Sequence, residues 1–100
     1  MTVWDEHMAS NLLGSKLLVG LYYMDGDRCI RQRQIFGVVL SVCPKLGISL
    51  RTKEGDLQSV APLLDLVRPA QAGRYDLEDG TTVNDPDFTI GMAIMKPVRH

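Results

Sequence analysis

One hundred residues, 45% hydrophobic and 23% charged with a formal net charge of −1, fit one globular domain and leave no room for a second core. No run approaches the ~18 consecutive apolar residues that a membrane span requires. The acidic opening MTVWDEHMAS lacks the apolar stretch of a secretory leader, so a cytoplasmic protein is expected, with no membrane partner.

The small net charge argues against bulk nucleic-acid binding, yet it conceals an asymmetry. From Lys16 to Lys53 seven basic residues stand against two acids, and from Glu54 onward eight acids stand against four basic residues.

Residues 1–14 read as an N-terminal helix or tail. Trp4, Met8 and Leu12 recur every four positions, Asp5 and Glu6 occupy the first turn, and Gly14 stops the pattern. So short a helix is unstable alone and must pack through that stripe.

Residues 15–96 read as a single β domain with a C-terminal extension. In KLLVGLYYM, Leu17, Val19, Leu21 and Tyr23 share one face of a first strand. Asp25-Gly26 supplies hairpin chemistry. The second strand, RCIRQRQIFGVVLSVC, runs from Arg28 to Cys43 and is far longer than the usual five or six residues. A strand of this length bends and serves two sheets, with Gly37 as the expected site of a bulge or close backbone approach. Cys29 and Cys43 lie fourteen positions apart on it. At ~3.3 Å per residue that is far beyond the ~7 Å Cα separation of a disulfide, so two reduced thiols are expected.

Further along, GISLRTK turns Ile48 and Leu50 inward and Arg51 and Lys53 outward. Glu54-Gly55-Asp56 is a second hairpin turn before the short strand Leu57 to Val60. Pro62 to Asp65 suggests one helical turn, and Leu66 to Arg68 a short strand stopped by Pro69. Glu78-Asp79-Gly80 makes a third hairpin, Asn84 to Asp87 a loop, and FTIGMAIMK a last strand that is apolar on both faces.

This order of elements resembles a Src-homology-3-like or Sm-like small barrel. The likeness is carried by residues 15–69 and especially by FGVVLSVCPKLGISLRTKEGDLQSV. It implies a mainly β, bent antiparallel β-barrel with a short N-terminal helix and an added C-terminal hairpin and strand. The chain departs from the Sm pattern at two places: Gly47 stands where an asparagine is expected in the RNA-pocket loop, and Arg68-Pro69 stands where Arg-Gly is expected. The later segment, with Pro69, Ala70, Gly73, Tyr75, Leu77, Asp85, Pro86, Asp87 and Phe88, resembles the tail of small bacterial proteins of unassigned role.

No catalytic set emerges from the residues. His7, Cys29, Cys43 and His100 are scattered without the paired spacing of a metal site. Asp85 and Asp87, and the acids around Asp79, read as turn-formers that bond nearby amides. No cofactor is implied, and an enzyme is not expected.

Two surfaces stand out. Arg31 and Arg33 project to one side of the long strand, where two guanidiniums can grip phosphates or carboxylates. Lys45, Arg51, Lys53 and Tyr22 could extend that patch. The competing reading is a solvated face with cross-strand ion pairs to Asp25, Asp27 or Asp56. On the last strand Ile90, Met92 and Ile94 face one way, either filling the core or forming the interface of a homodimer. Together these suggest a non-enzymatic, homo-oligomeric adaptor for a macromolecular partner, with RNA or DNA binding through the basic face as the alternative.

Overall fold

The long apolar-to-polar strand organises the fold. The computed structural model describes residues 4–95, so Lys96 and His100 lie outside the described residues. It contains one helix, α1 (Glu6–Leu12), and eight strands: β1 (Lys16–Asp25), β2 (Arg28–Cys43), β3 (Gly47–Thr52), β4 (Leu57–Val60), β5 (Val67–Pro69), β6 (Arg74–Asp76), β7 (Thr82–Asn84) and β8 (Phe88–Met95). A single 3₁₀ turn, Leu64–Leu66, precedes β5. The protein is mainly β, with a six-stranded sheet ordered β4-β3-β2-β1-β8-β5 and a separate two-stranded β6–β7 hairpin.

Strand β2 passes from one partner to another. It pairs with β1 from Arg28 to Val38 and with β3 from Gly37 to Cys43, so the ladders overlap at only two residues. Gly37 allows this because the two backbones come very close there. A Cβ on Gly37 would sit 2.5 Å from the carbonyl oxygen of Arg51. The bulge itself lies further on, between Val39 and Ser41, where Leu40 has no opposite residue on β3. A second irregularity next to the first hairpin leaves Ile30 without a partner, since Tyr23 pairs with Arg31 and Met24 with Cys29.

One face of the sheet holds the core. Leu17, Val19 and Leu21 of β1 lie beside Ile35 and Val39 of β2, Ile48 and Leu50 of β3, Val60 of β4, Val67 of β5, and Ile90 and Met92 of β8. Helix α1 seals one end of this core. Asp5 caps it by accepting the Met8 amide at 2.9 Å; Ala9 and Leu12 are buried, with Trp4 and Met8 packed alongside. The chain leaving the helix stays tied to β2, because Gly14 N–H donates to the Val39 carbonyl and Val39 N–H to the Ser15 carbonyl.

Two expectations need correction. The sheet is not wholly antiparallel, because β8 pairs with β1 in parallel from Leu17–Phe88 to Met24–Met95. Nor is β8 an appendage: it lies between β1 and β5. The long connection through the β6–β7 hairpin brings the chain back to run in the direction of β1, as parallel pairing requires. Strands β4 and β5 border the sheet, and no ladder joins them among the described residues.

The loop acids staple distant segments. Asp87 accepts the Lys16 amide at 2.8 Å and returns its own amide to the Lys16 carbonyl. Asp85 does the same with Gly73, its carboxylate accepting at 2.7 Å. The sequence pointed to local turn bonds; these bonds instead span 71 and 12 residues.

Candidate functional site

The outer face of β2 is also apolar. Phe36, Val38 and Leu40 follow the parity opposite to the core, and Val38 and Leu40 are both exposed. Over this face leans the β6–β7 hairpin, anchored where Glu78 N–H donates to Gln34 Oε1 at 2.7 Å. Its turn repeats that of β3–β4: Leu77 N–H donates to the Thr81 carbonyl just as Thr52 N–H donates to that of Asp56, with a glycine at the fourth position of each turn. Tyr75 Oη–H donates to the Gln71 carbonyl at 2.8 Å and braces the hairpin's base.

Between hairpin and sheet lies a cleft of about 1140 Å³. Phe36, Val38, Leu40, Leu77 and Val83 give it an apolar lining. Lys16, Arg33, Arg51 and Lys53 bring cations to it, and Glu54, Asp56 and Asp79 bring acids. A smaller cavity of about 360 Å³ opens at the uncovered end of the core, lined by Leu21, Tyr23, Leu63, Met92 and Ile94, with Arg33 shared between the two.

Of the six residues expected to form a binding surface, the cleft gathers Arg33, Arg51 and Lys53. Arg31 shares a strand face with Arg33, but its guanidinium lies over the Tyr23 ring, 5.7 Å from the centroid. Lys45 sits in the turn after β2, at the strand's far end, and does not line the cleft. Tyr22 does not line it either. Its ring lies along the paired Gly20 and Gly91, so close that a Cβ on Gly20 would stand 3.1 Å from the Tyr22 oxygen. Lys16 and the apolar hairpin residues Leu77 and Val83 were not singled out by sequence. Lys16 reaches the cleft from β1, opposite Val38, and Leu77 and Val83 reach it because β6–β7 folds back on β2.

The cleft cations have no ion-pair partners among the described residues. The one salt bridge found there, Arg74 to Asp76 at 3.3 Å, lies on the hairpin. No ion pair from Arg31, Arg33, Arg51 or Lys53 to Asp27 or Asp56 is found among the described residues. The Asp79 carboxyl is held below the usual carboxylate range by the hydroxyl and amide of Thr81, which donate to it at 2.6 and 2.9 Å. Cys43 is held below the ordinary thiol range, chiefly by the amides of Leu46 and Lys45 in the following turn. Both cysteines are free. Among the described residues no group of three or more His, Cys, Asp or Glu side chains could hold a metal ion, and no helix is long and apolar enough to cross a membrane.

The strand expected to serve an interface divides. Ile90 and Met92 are buried in this chain's own core and are not available to a second copy. Ile94 and Met95, at the strand's end, are 39% and 59% exposed.

No known protein family matches the chain, and no curated protein sequence or solved structure does either.

Proposed function

We propose that this chain is a non-enzymatic binding module, a homo-oligomeric adaptor for a macromolecular partner, built on a Src-homology-3-like or Sm-like frame. The observation that carries this reading is the cleft itself, an apolar groove of about 1140 Å³ carrying cations without ion-pair partners among the described residues. Concave, mostly apolar sites with a few convergent polar groups are where partners usually bind. The frame is supported by the order of a hairpin, a long strand shared between two ladders, a second hairpin, a 3₁₀ turn and a short strand. Two free thiols accord with a reducing, cytoplasmic setting. The oligomer is supported by the exposed Ile94 and Met95 at the end of β8.

A photo-crosslinking amino acid in place of Val38 tests the cleft in cells. The expected result is a discrete adduct, weakened by Arg51→Glu and absent when the crosslinker replaces Leu66. An unchanged adduct at Leu66, or none at Val38, overturns the reading. Light scattering on the eluted protein tests the oligomer, with a mass of twice 11.1 kDa expected and a single 11.1 kDa species at high concentration refuting it.

The second reading is RNA or DNA binding through Arg33, Arg51 and Lys53, with Arg31, Lys45 and Tyr22 outside the cleft. The cations, which have no ion-pair partner among the described residues, favour it, and the three acids in the same cleft weigh against it. If these three cations contact a single strand, affinity falls with a log–log salt slope near −2, at about −0.7 per contact. Fluorescence anisotropy of a labelled oligonucleotide reads that slope, and no binding at low salt discards the idea.

A further inference from the structure

The pairing pattern leaves one segment of β2 with an unused edge. Strand β3 accompanies β2 only as far as the Gly37–Thr52 rung and then turns away through Lys53 to Asp56. Beyond that rung β2 continues from Phe36 back to Arg31 with β1 on one side and no strand on the other among the described residues. The contact from the β6–β7 hairpin to this stretch goes to the Gln34 side chain, not to its backbone. The slot that β3 vacates opens directly into the cleft, whose lining includes Arg33 to Gly37 on one side and Thr52 to Glu54 on the other.

We infer that an extended acidic segment of a partner protein adds as a strand to the Arg31–Phe36 edge of β2, filling this slot. The inference rests on the binding-module reading and adds to it the mode of engagement and the partner's chemistry. Six residues of edge span about 20 Å, with every second residue turning its amide and carbonyl to the guest. Backbone pairing of this kind supplies affinity, and alternate side chains supply specificity.

The two faces of the edge specify the guest. Arg31 and Arg33 share one face and present guanidiniums suited to carboxylates, while Arg51, opposite Val38, belongs to the other face. Phe36 lies on the other face, beneath Leu77 and Val83. The guest therefore alternates acidic and apolar residues. A second copy of this chain fits poorly, because two-fold antiparallel pairing centred on Arg33 would set that residue against its own equivalent and gather the arginines of both copies on one face, and like charges opposite one another destabilise a ladder. The unpaired Ile30 at the segment's end is a further device that discourages self-pairing while leaving Arg31–Phe36 regular.

A displayed library of random twelve-residue peptides, selected against the whole protein, tests this. Enriched peptides are expected to alternate carboxylates with apolar residues. Adding a synthetic enriched peptide should slow amide hydrogen exchange at residues 31–36. Arg31→Glu with Arg33→Glu should weaken that peptide by about tenfold or more. Arg31→Gln with Arg33→Gln is the milder control, and circular dichroism confirms that both variants fold. Enriched peptides without carboxylates, protection appearing at β4 instead, or no enrichment at all would each overturn the inference. So would slowed exchange at 31–36 that rises with protein concentration in the absence of peptide, since that is self-pairing. If the crosslinker at Val38 still captures a partner in those cases, strand addition falls and the binding-module reading stands; if it captures nothing, both fall.

Discussion

Three glycines separate two kinds of constraint on this backbone, and their alanine variants make a quantitative test. Gly55, in the β3–β4 turn, has φ +88° with open space where a Cβ would go, so alanine there meets only the left-handed penalty. That penalty is about 1–2 kcal/mol, partly offset by the ~0.4–1 kcal/mol that alanine gains by restricting the unfolded chain. Gly37 has no positive φ, but its Cβ would meet the Arg51 carbonyl oxygen at 2.5 Å, backbone against backbone. Overpacking of this kind costs about 1–3 kcal/mol. Gly47 carries both burdens, with φ +95° and a Cβ that would overlap the Val60 carbonyl oxygen. Its alanine variant should therefore lose about 2–4 kcal/mol, the sum of the two effects less the unfolded-state gain. Urea unfolding reads this directly. With m near 1–3 kcal/mol per molar for a small protein, Gly47→Ala should lower the midpoint by about 1 M or more. Gly55→Ala should shift it by a fraction of that, with Gly37→Ala between them. Equal shifts at Gly47 and Gly55 would show that the carbonyl of Val60 does not crowd the site, and the register of β3 against β4 would then be wrong. The same argument leaves no place for a side chain at residue 47, because the β3 backbone passes too close to Val60 there.

Other consequences are equally open to measurement. Ile90→Ala should cost about 2–5 kcal/mol as a core truncation, whereas Ile94→Ala should leave monomer stability nearly unchanged and act only on self-association; chemical denaturation and light scattering on both variants decide whether β8 divides as described. Asp87→Ala removes the acceptor of the Lys16 amide and should cost about 1 kcal/mol, seen calorimetrically as a fall in Tm of roughly 4–8 °C, and an unchanged Tm would mean that the staple contributes nothing. Because the folded-state pKa of Asp79 is depressed, its contribution to stability is present above the unfolded-state pKa and is lost as pH falls through the folded value. Thr81→Val removes the hydroxyl donor and should raise the Asp79 pKa toward the usual carboxylate range in an NMR titration, and no movement would refute that cause.

Local chemistry in the chain was enough to identify most of the elements. The Asp25-Gly26, Glu54-Gly55 and Asp79-Gly80 turns, the Trp4–Met8–Leu12 stripe and the clean alternation of Ile48 and Leu50 each act over a few residues, where backbone sterics and burial leave few choices. The length of β2 pointed to a strand serving two sheets, but it lies within one six-stranded sheet and passes from the β1 ladder to the β3 ladder. What sequence could not decide was the inward face of β2, since Ile35 and Val39 are apolar on one parity and Phe36, Val38 and Leu40 on the other. The rung between Val19 and Ile35, formed with a different strand, settles it. The bulge at Leu40 then changes the parity so that Val42 rejoins the core side.

Half of the expected basic surface was legible for a related reason. Arg33 and Arg51 sit on strands, and Lys53 in the turn after β3, whose pairing brings them to one cleft, but Lys45 and Tyr22 are directed elsewhere by the turn and by the Gly20–Gly91 platform. Periodicity alone establishes that this polypeptide forms strands, where it turns and which residues are oily enough to be hidden. Which strand lies beside which belongs to the folded state, because β8 can slip between β1 and β5, and the β6–β7 hairpin can close over β2, only through contacts between residues tens of positions apart. Those contacts are selected by the total surface buried when the sheet curls, a quantity that no short window of sequence contains.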